Sequence, residues 1–421
     1  MNQYEFVRQI SHADVLLSQG RFGHAEEILE RLMATGYEGT DIMKMMAIAK
    51  MGLKKYGPAE ELCRLIITHH PNEAFAFYLL ATIRGTERKF DEALSTLNEA
   101  IKLDPANADY FAFKANILLQ TKDYKEALDS ADLGLSVDAE NIDALNARAS
   151  ALVGLNRKDE AFQTINKSLA SDPDNADTHA NMGWGLLHQG KSDMALQHFK
   201  TALKQEPMNE YARGGMLEAM KARFPVYRYF LMLMLWLGKM KGNNQWGFII
   251  GGYIVYRVLV TLAENYAGLQ PFLIPLIVLI ALFFISTWIF SPLMNLYLLT
   301  NPFGKLTLDE DQKQSARLVG ISLLISLTSI LVFWIGYRND GLLSLSLFAF
   351  AMMIPVGSMN NPYLEENKRK LRYWTLAIAM LILIDSVLAI SSGTFLSSIS
   401  FLPVLALIGY QWYTNYILIR E

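Results

Sequence analysis

The chain has 421 residues, room for two or three domains and too many for one simple core. Apolar residues make up 52% and charged residues only 19%, with a mean hydropathy of +0.18, oilier than an ordinary soluble protein at about 25% charged. A net charge of −3 gives no basic field for a phosphate backbone, so no nucleic-acid partner is expected, and the single cysteine, Cys63, leaves no internal disulfide or thiolate metal cluster.

The charges are unevenly spread. Residues 1–223 hold 25 Lys/Arg and 32 Asp/Glu, whereas 224–421 hold 13 and 9. A polar first half is therefore followed by an oily second half that is expected to meet lipid. The opening residues, MNQYEFVRQISHADVLLSQG, lack the apolar run of a secretory signal, so the first half is expected in the cytosol.

In the first half a 34-residue period is visible. Pro71, Pro105, Pro173 and Pro207 stand on that grid, with Ala139 in the remaining place. Ala25, Ala59, Ala93, Ala127, Ala161 and Ala195 repeat at the same interval, small residues where two helices must approach closely. The stretch FYLLATIRGTERKFDEALSTLNEAIKLDP, through Phe77, Leu80, Ala81, Ala93, Leu97, Ala100 and Pro105, resembles the tetratricopeptide repeat (TPR) family. Lys114, Arg148 and His179 depart from its pattern.

The resemblance implies six stacked helical hairpins over residues 6–209, forming a superhelical solenoid with a concave groove that holds a partner protein or peptide. It places Tyr78, Thr82, Asn116, Gln120, Asn146, Ser150, Trp184 and His188 on the groove lining. Tyr78 and Trp184 can equally be packing residues between helices, since aromatics serve both uses. A basic clamp for a carboxylate tail is incomplete, because Lys44 is followed by Ile48, and Asn116 by way of Ala112 lacks a lysine.

Domain boundaries are expected at 1–209 for the solenoid, 210–245 for a capping helix and an interfacial amphipathic segment, and 246–421 for the membrane domain. Tyr229 to Leu237 is too short to span. About six transmembrane helices are expected, at 246–264, 271–290, 317–336, 342–357, 373–391 and 395–417, so the fold class is all-α. Counting cations over these six places eleven inside and Arg338 outside, with both termini cytosolic. Arg257 and Asp385 fall at similar depth within two of the runs and are expected to form an intramembrane charge pair. Gly247, Gly251 and Gly252 suit close helix packing.

Several stretches imitate chemistry. Gly185, Gly190, Lys191 and Ser192 match a phosphate-binding loop, yet they lie on a repeat hairpin without the strand that such a loop needs. Thr307 with Glu310 reads as a capping box, and Lys368, Arg369, Lys370 and Arg372 as a collar against anionic lipid. All seven histidines lie in the repeat half, so neither a metal site nor a cofactor is expected in the membrane half, and no catalytic constellation is present.

The reading is a membrane-anchored, non-enzymatic scaffold of a bacterial inner membrane. It binds a protein or peptide in the groove and holds it at the membrane, as a homo-oligomer or as a subunit of a larger membrane complex. KARFPVYRYFLMLMLWLGKM with WGFIIGGYIVYR resembles the junction in uncharacterised bacterial TPR membrane proteins. The alternative is a transporter or membrane enzyme whose helical domain carries the activity.

Overall fold

In a computed structural model, residues 3–35, 39–240, 242–362 and 364–420 are described. They form helices and connecting turns arranged as two compact units. One comprises residues 1–212 with 235–241; the other comprises 213–234 with 242–421.

In the first unit, six antiparallel helix pairs stand among the described residues. They are α1 (Gln3–Ser18) with α2 (Phe22–Ala34), α3 (Thr40–Gly52) with α4 (Tyr56–His69), and α5 (Ala74–Thr86) with α6 (Phe90–Leu103). The rest are α7 (Ala108–Gln120) with α8 (Tyr124–Val137), α9 (Ile142–Gly154) with α10 (Lys158–Ser171), and α11 (Ala176–Leu187) with α12 (Ser192–Gln205). The six periodic alanines are fully buried between them.

The turn inside each pair repeats as faithfully. Gly20, Lys54, Arg88, Lys122, Asn156 and Gly190, again 34 apart, all adopt left-handed backbone with φ between 60° and 73°. The following amide then donates back to a carbonyl five residues earlier, as in Lys89 N to Arg84 O at 2.9 Å and Arg157 N to Leu152 O at 2.8 Å. This closes the helix end. Four of these positions carry a side chain where glycine is favoured, a local cost of about 1–2 kcal/mol each that the hairpin packing outweighs. Gly190 lies at such a turn, so the phosphate-loop imitation is helix–turn–helix.

Between pairs, Asn107, Asn141, Asn175 and Asn209 hold the start of the next helix, accepting from backbone amides at 2.9–3.0 Å. The departures from the family pattern also have local reasons. Lys114 donates to Asn98 at 2.9 Å, and Arg148 donates to Asp132 at 2.6 Å and to Thr164. His179 meets His198 through their Nδ1 atoms at 2.9 Å. Lys44 is paired with Asp41 and Glu73.

The second unit takes in part of α13 (Glu210–Lys221) and of α14 (Pro225–Gly238), then α15 (Gly242–Asn265) and, after a 3-10 turn at Ala267–Leu269, α16 (Gln270–Leu299). There follow α17 (Pro302–Thr307), α18 (Glu310–Ile335), α19 (Asp340–Ala351), α20 (Met353–Ser358), α21 (Glu365–Ser392) and α22 (Phe401–Arg420). Its core gathers Ile289, Val319, Phe348, Met353, Ile378 and Tyr410. Tyr227 donates to Glu218 at 2.7 Å and its ring lies near Phe290, which ties α13 and α14 to α16.

Among the described residues, four helical stretches, not about six, are long and apolar enough to cross a membrane: Ala267–Leu299, Glu310–Ile335, Asp340–Ser358 and Glu365–Ser392. The last expected span fails because residues 394–400 are not helical, and because Gln411, Thr414 and Asn415 interrupt the apolar run of α22. The first, 246–264, falls partly on side chains outside the described residues. α14, at 14 residues, is far shorter than the roughly 20 that a bilayer needs. The count of cations that fixed the orientation used six crossings and does not carry over to four. The cap before α18 also sits elsewhere than expected: Asp309 and Gln312, not Thr307 and Glu310, make the reciprocal capping bonds, at 2.7 and 3.2 Å.

Candidate peptide-binding groove

The first helix of each pair brings one side chain per turn to the lining, so residues four apart, such as Asn116 and Gln120, share a face. Six of the eight expected residues fall into two cavities of the first unit. One, of about 330 Å³, has Thr82, Asn116 and Gln120 in its wall with Arg88, Phe90 and Phe113. The other, of about 260 Å³, has Ser150, Trp184 and His188 with Tyr124, Asn181, Tyr211 and Lys239.

Two residues lie elsewhere. Tyr78 stacks on Tyr110 at 5.1 Å between ring centroids and meets Phe113 edge-on at 5.4 Å, a packing position between hairpins. Asn146 is buried and accepts from the Thr178 hydroxyl at 3.0 Å, which joins α9 to α11. Trp184 has both uses: it contacts Phe199 and Tyr211, donates to the Tyr211 carbonyl at 3.3 Å, and still faces the second cavity.

The electrostatics differ between the two ends of the first helices. At the start stand Asp109, Asp143 and Asp177, again on the 34-residue grid; burial, then Asp109 and Asp177, holds the Asp143 carboxyl above the ordinary range. At the other end stand Lys122 and Lys239. Burial, followed by Lys239 and Lys158, lowers the His188 imidazole to about 4, so it is neutral at physiological pH. Burial and then Lys158 also lower the Lys239 ammonium.

Lys239 and Lys122 were not anticipated as groove residues. Lys239 Nζ donates to the Val153 carbonyl at 2.7 Å, and Lys122 Nζ donates to the Met240 carbonyl at 2.9 Å. Lys122 was open to recognition through its place on the grid of hairpin turns. Nothing in the sequence brings residues 239 and 240 here, since their contacts lie 86 and 118 positions away.

In the second unit the expected ion pair is not formed. Asp385 is fully buried in α21, and its Oδ1 accepts from the hydroxyls of Ser397 at 2.5 Å and Ser400 at 2.6 Å, while Oδ2 has no hydrogen-bond partner. Arg257 is exposed on α15. The turn before α22 thus supplies the donors that the arginine was expected to provide. Close by, Gly341 abuts the backbone of Ala389 and Ile390, where a Cβ would come within 2.4 Å. One turn further along α19 and α21 stand Ser344 and Ser386, both buried without a hydroxyl partner. Of the collar, Lys368 and Arg372 pair with Asp311 at 2.6 and 3.1 Å. Gly252 lies 3.0 Å from Phe284 by its would-be Cβ, whereas Gly247 and Gly251 face open space. Among the described residues, no three His, Cys, Asp or Glu side chains come together as a metal site.

Two family models, both described as tetratricopeptide repeat, match residues 78–136 and 142–175. No curated protein matches the chain. Among solved structures, it is similar to a tetratricopeptide repeat protein from Parabacteroides merdae, at 14% identity over 52% of this chain and 86% of that one, with a TM-score of 0.45. It is also similar to pilF of Pseudomonas aeruginosa, at 16% identity over 50% and 95%, TM-score 0.41. MamA from Desulfovibrio magneticus gives 16% identity over 41% and 98%, TM-score 0.35. The chain carries tetratricopeptide repeats at residues 78–136 and 142–175, and with four long apolar helices among its described residues it is an integral membrane protein with an N-terminal repeat region.

Proposed function

We propose that the protein is a membrane-anchored scaffold whose repeat groove binds a partner protein or peptide and holds it at the bilayer. The observation that carries this reading is the pair of cavities, about 330 and 260 Å³, each lined by polar side chains of the first helices of successive repeats beside aromatic rings. Such a lining offers amides and hydroxyls to a peptide backbone and ring faces to its side chains. Asn116 and Gln120 are exposed within it, so they are open to a partner.

In this reading the array and the C-terminus lie on the cytosolic side of a bacterial inner membrane. Four crossings return the chain to the face it left, and a lone buried cysteine without a disulfide suits a reducing compartment. The protein acts as a scaffold and not as an enzyme, either as a homo-oligomer or within a larger membrane complex.

The test is affinity purification of the full-length protein from its native membranes beside an Asn116→Ala, Gln120→Ala variant. A stoichiometric partner lost from the variant supports the reading; one retained at the same level contradicts it.

A second reading, transport or catalysis by the helical domain, is favoured by Asp385, whose Oδ2 is buried without a hydrogen bond. Asp385→Asn separates the two. As a structural residue, Asp385 gives up the carboxyl group that accepts from two serine hydroxyls, and the amide in its place must turn its NH2 into a buried site, at a cost of about 1–3 kcal/mol, seen as a lower melting temperature. An unchanged melting temperature with a lost flux or activity points to the second reading.

A further inference from the structure

We infer that the C-terminal ends of α7, α9 and α11 form a lysine-receiving peptide site, which the chain's own residues 235–240 occupy, and that a partner enters by displacing them. The inference rests on the groove reading above and adds to it the occupant and the chemistry of the partner.

Two bonds of opposite sense hold the segment. Lys239 gives its ammonium to the Val153 carbonyl at 2.7 Å, in the last turn of α9. The Val153 carbonyl already accepts from the Asn156 amide at 3.1 Å, and the ammonium takes its second lone pair at the negative end of the helix dipole. In return, Lys122, just beyond the end of α7, gives its ammonium to the Met240 carbonyl at 2.9 Å. A side chain of the segment thus reads the array's backbone, and a side chain of the array reads the segment's backbone. This arrangement fixes a peptide in register across repeats.

The fit is incomplete in a way that permits exchange. The cavity that Lys239 enters retains about 260 Å³, and none of its lining residues is acidic. His188, its neutral neighbour, and Lys158 offer no countercharge. The segment therefore competes through tethering: as the end of α14 and the two residues after it, it is covalently held beside the site, and a tethered ligand reaches an effective concentration on the order of millimolar. A partner that presents an apolar stretch followed by lysine, as Leu235, Trp236, Leu237, Gly238 and Lys239 do, and that also fills the cavity, outcompetes it.

The test uses the full-length protein in nanodiscs and a fluorescein-labelled peptide with the sequence of residues 233–243. Lys239→Ala in the protein removes the internal occupant's ammonium and leaves the receiving groups, the Val153 carbonyl and Lys122, in place, so this variant is expected to bind the peptide at least about tenfold tighter than the wild type. The same peptide with alanine in place of its lysine at position 239 is expected to lose that gain. Equal binding by wild type and variant, or binding indifferent to the peptide's lysine, overturns the inference.

Internal occupancy is read separately by Lys122→Cys with Met240→Cys and a short bis-maleimide. An intramolecular crosslink that saturating peptide suppresses is expected, and its absence overturns the inference. Neither readout needs a cellular partner, so failure here is distinct from failure to find one in native membranes.

Discussion

At the scale of single residues, burial decides which of the polar groups can work. Cys63 is buried, and desolvation followed by Glu60 pushes its thiol up to about 12, so it is expected to react slowly with thiol reagents in the folded protein. His188 carries a consequence for stability. Its folded value near 4 lies below the ordinary 6.5, so the unfolded chain takes up the proton first as the pH falls. Its stabilising contribution is complete above about pH 6.5 and is lost progressively toward pH 4. The melting temperature is therefore expected to fall on going from about pH 7.5 to about pH 5, and to fall less in His188→Gln. Equal falls in the two proteins would remove His188 as the cause. Residue roles were only partly legible in the sequence. The 34-residue spacing placed Ser150, Trp184 and His188 in one cavity, but Asn146 looks the same in the sequence and instead satisfies Thr178. Which of two amides turns inward depends on a neighbouring hydroxyl 32 residues away.

At the scale of elements, the repeat hairpins follow from local rules and the membrane helices less so. The grid of alanines, prolines and turn residues sets where each helix starts and stops, and the observed pairs keep that grid. Close approach makes some positions intolerant of even a methyl group. At Gly154 a Cβ would lie 2.3 Å from the Tyr124 ring, which is part of the second cavity's wall. Gly154→Ala is thus expected to lower stability by about 1–3 kcal/mol, because the ring must shift. Denaturant unfolding of the variant checks this, and an unchanged midpoint would show that Tyr124 yields freely. Apolar runs gave the number of membrane spans less well. Residues 395–400 belong to an apolar-looking stretch, yet Ser397 and Ser400 turn toward Asp385, and α22 begins only at Phe401. A buried carboxylate recruits donors from wherever they can reach, and hydropathy alone does not register that demand.

At the scale of the whole molecule, an N-terminal repeat region joined to four apolar helices is the arrangement of a protein that works at a bilayer. The proposed orientation has a direct check. A single reporter cysteine at Leu133, exposed on α8, is expected to react with a membrane-impermeant maleimide only after cells are opened, and a C-terminal tag to be protected alike. Labelling of intact cells at Leu133 would place the array outside. The division into a polar and an oily half was plain from composition, whereas the engagement of residues 239 and 240 by Lys122 and Val153 was not, because no short-range pattern encodes it. The claim that the groove is the working surface is tested most directly by a photo-crosslinking amino acid at Asn116 in the full-length protein, in its native membranes, with Leu133 as the control. The account expects a discrete crosslinked partner from position 116 and none from position 133. Equal adducts from both positions, or none from 116, would contradict it.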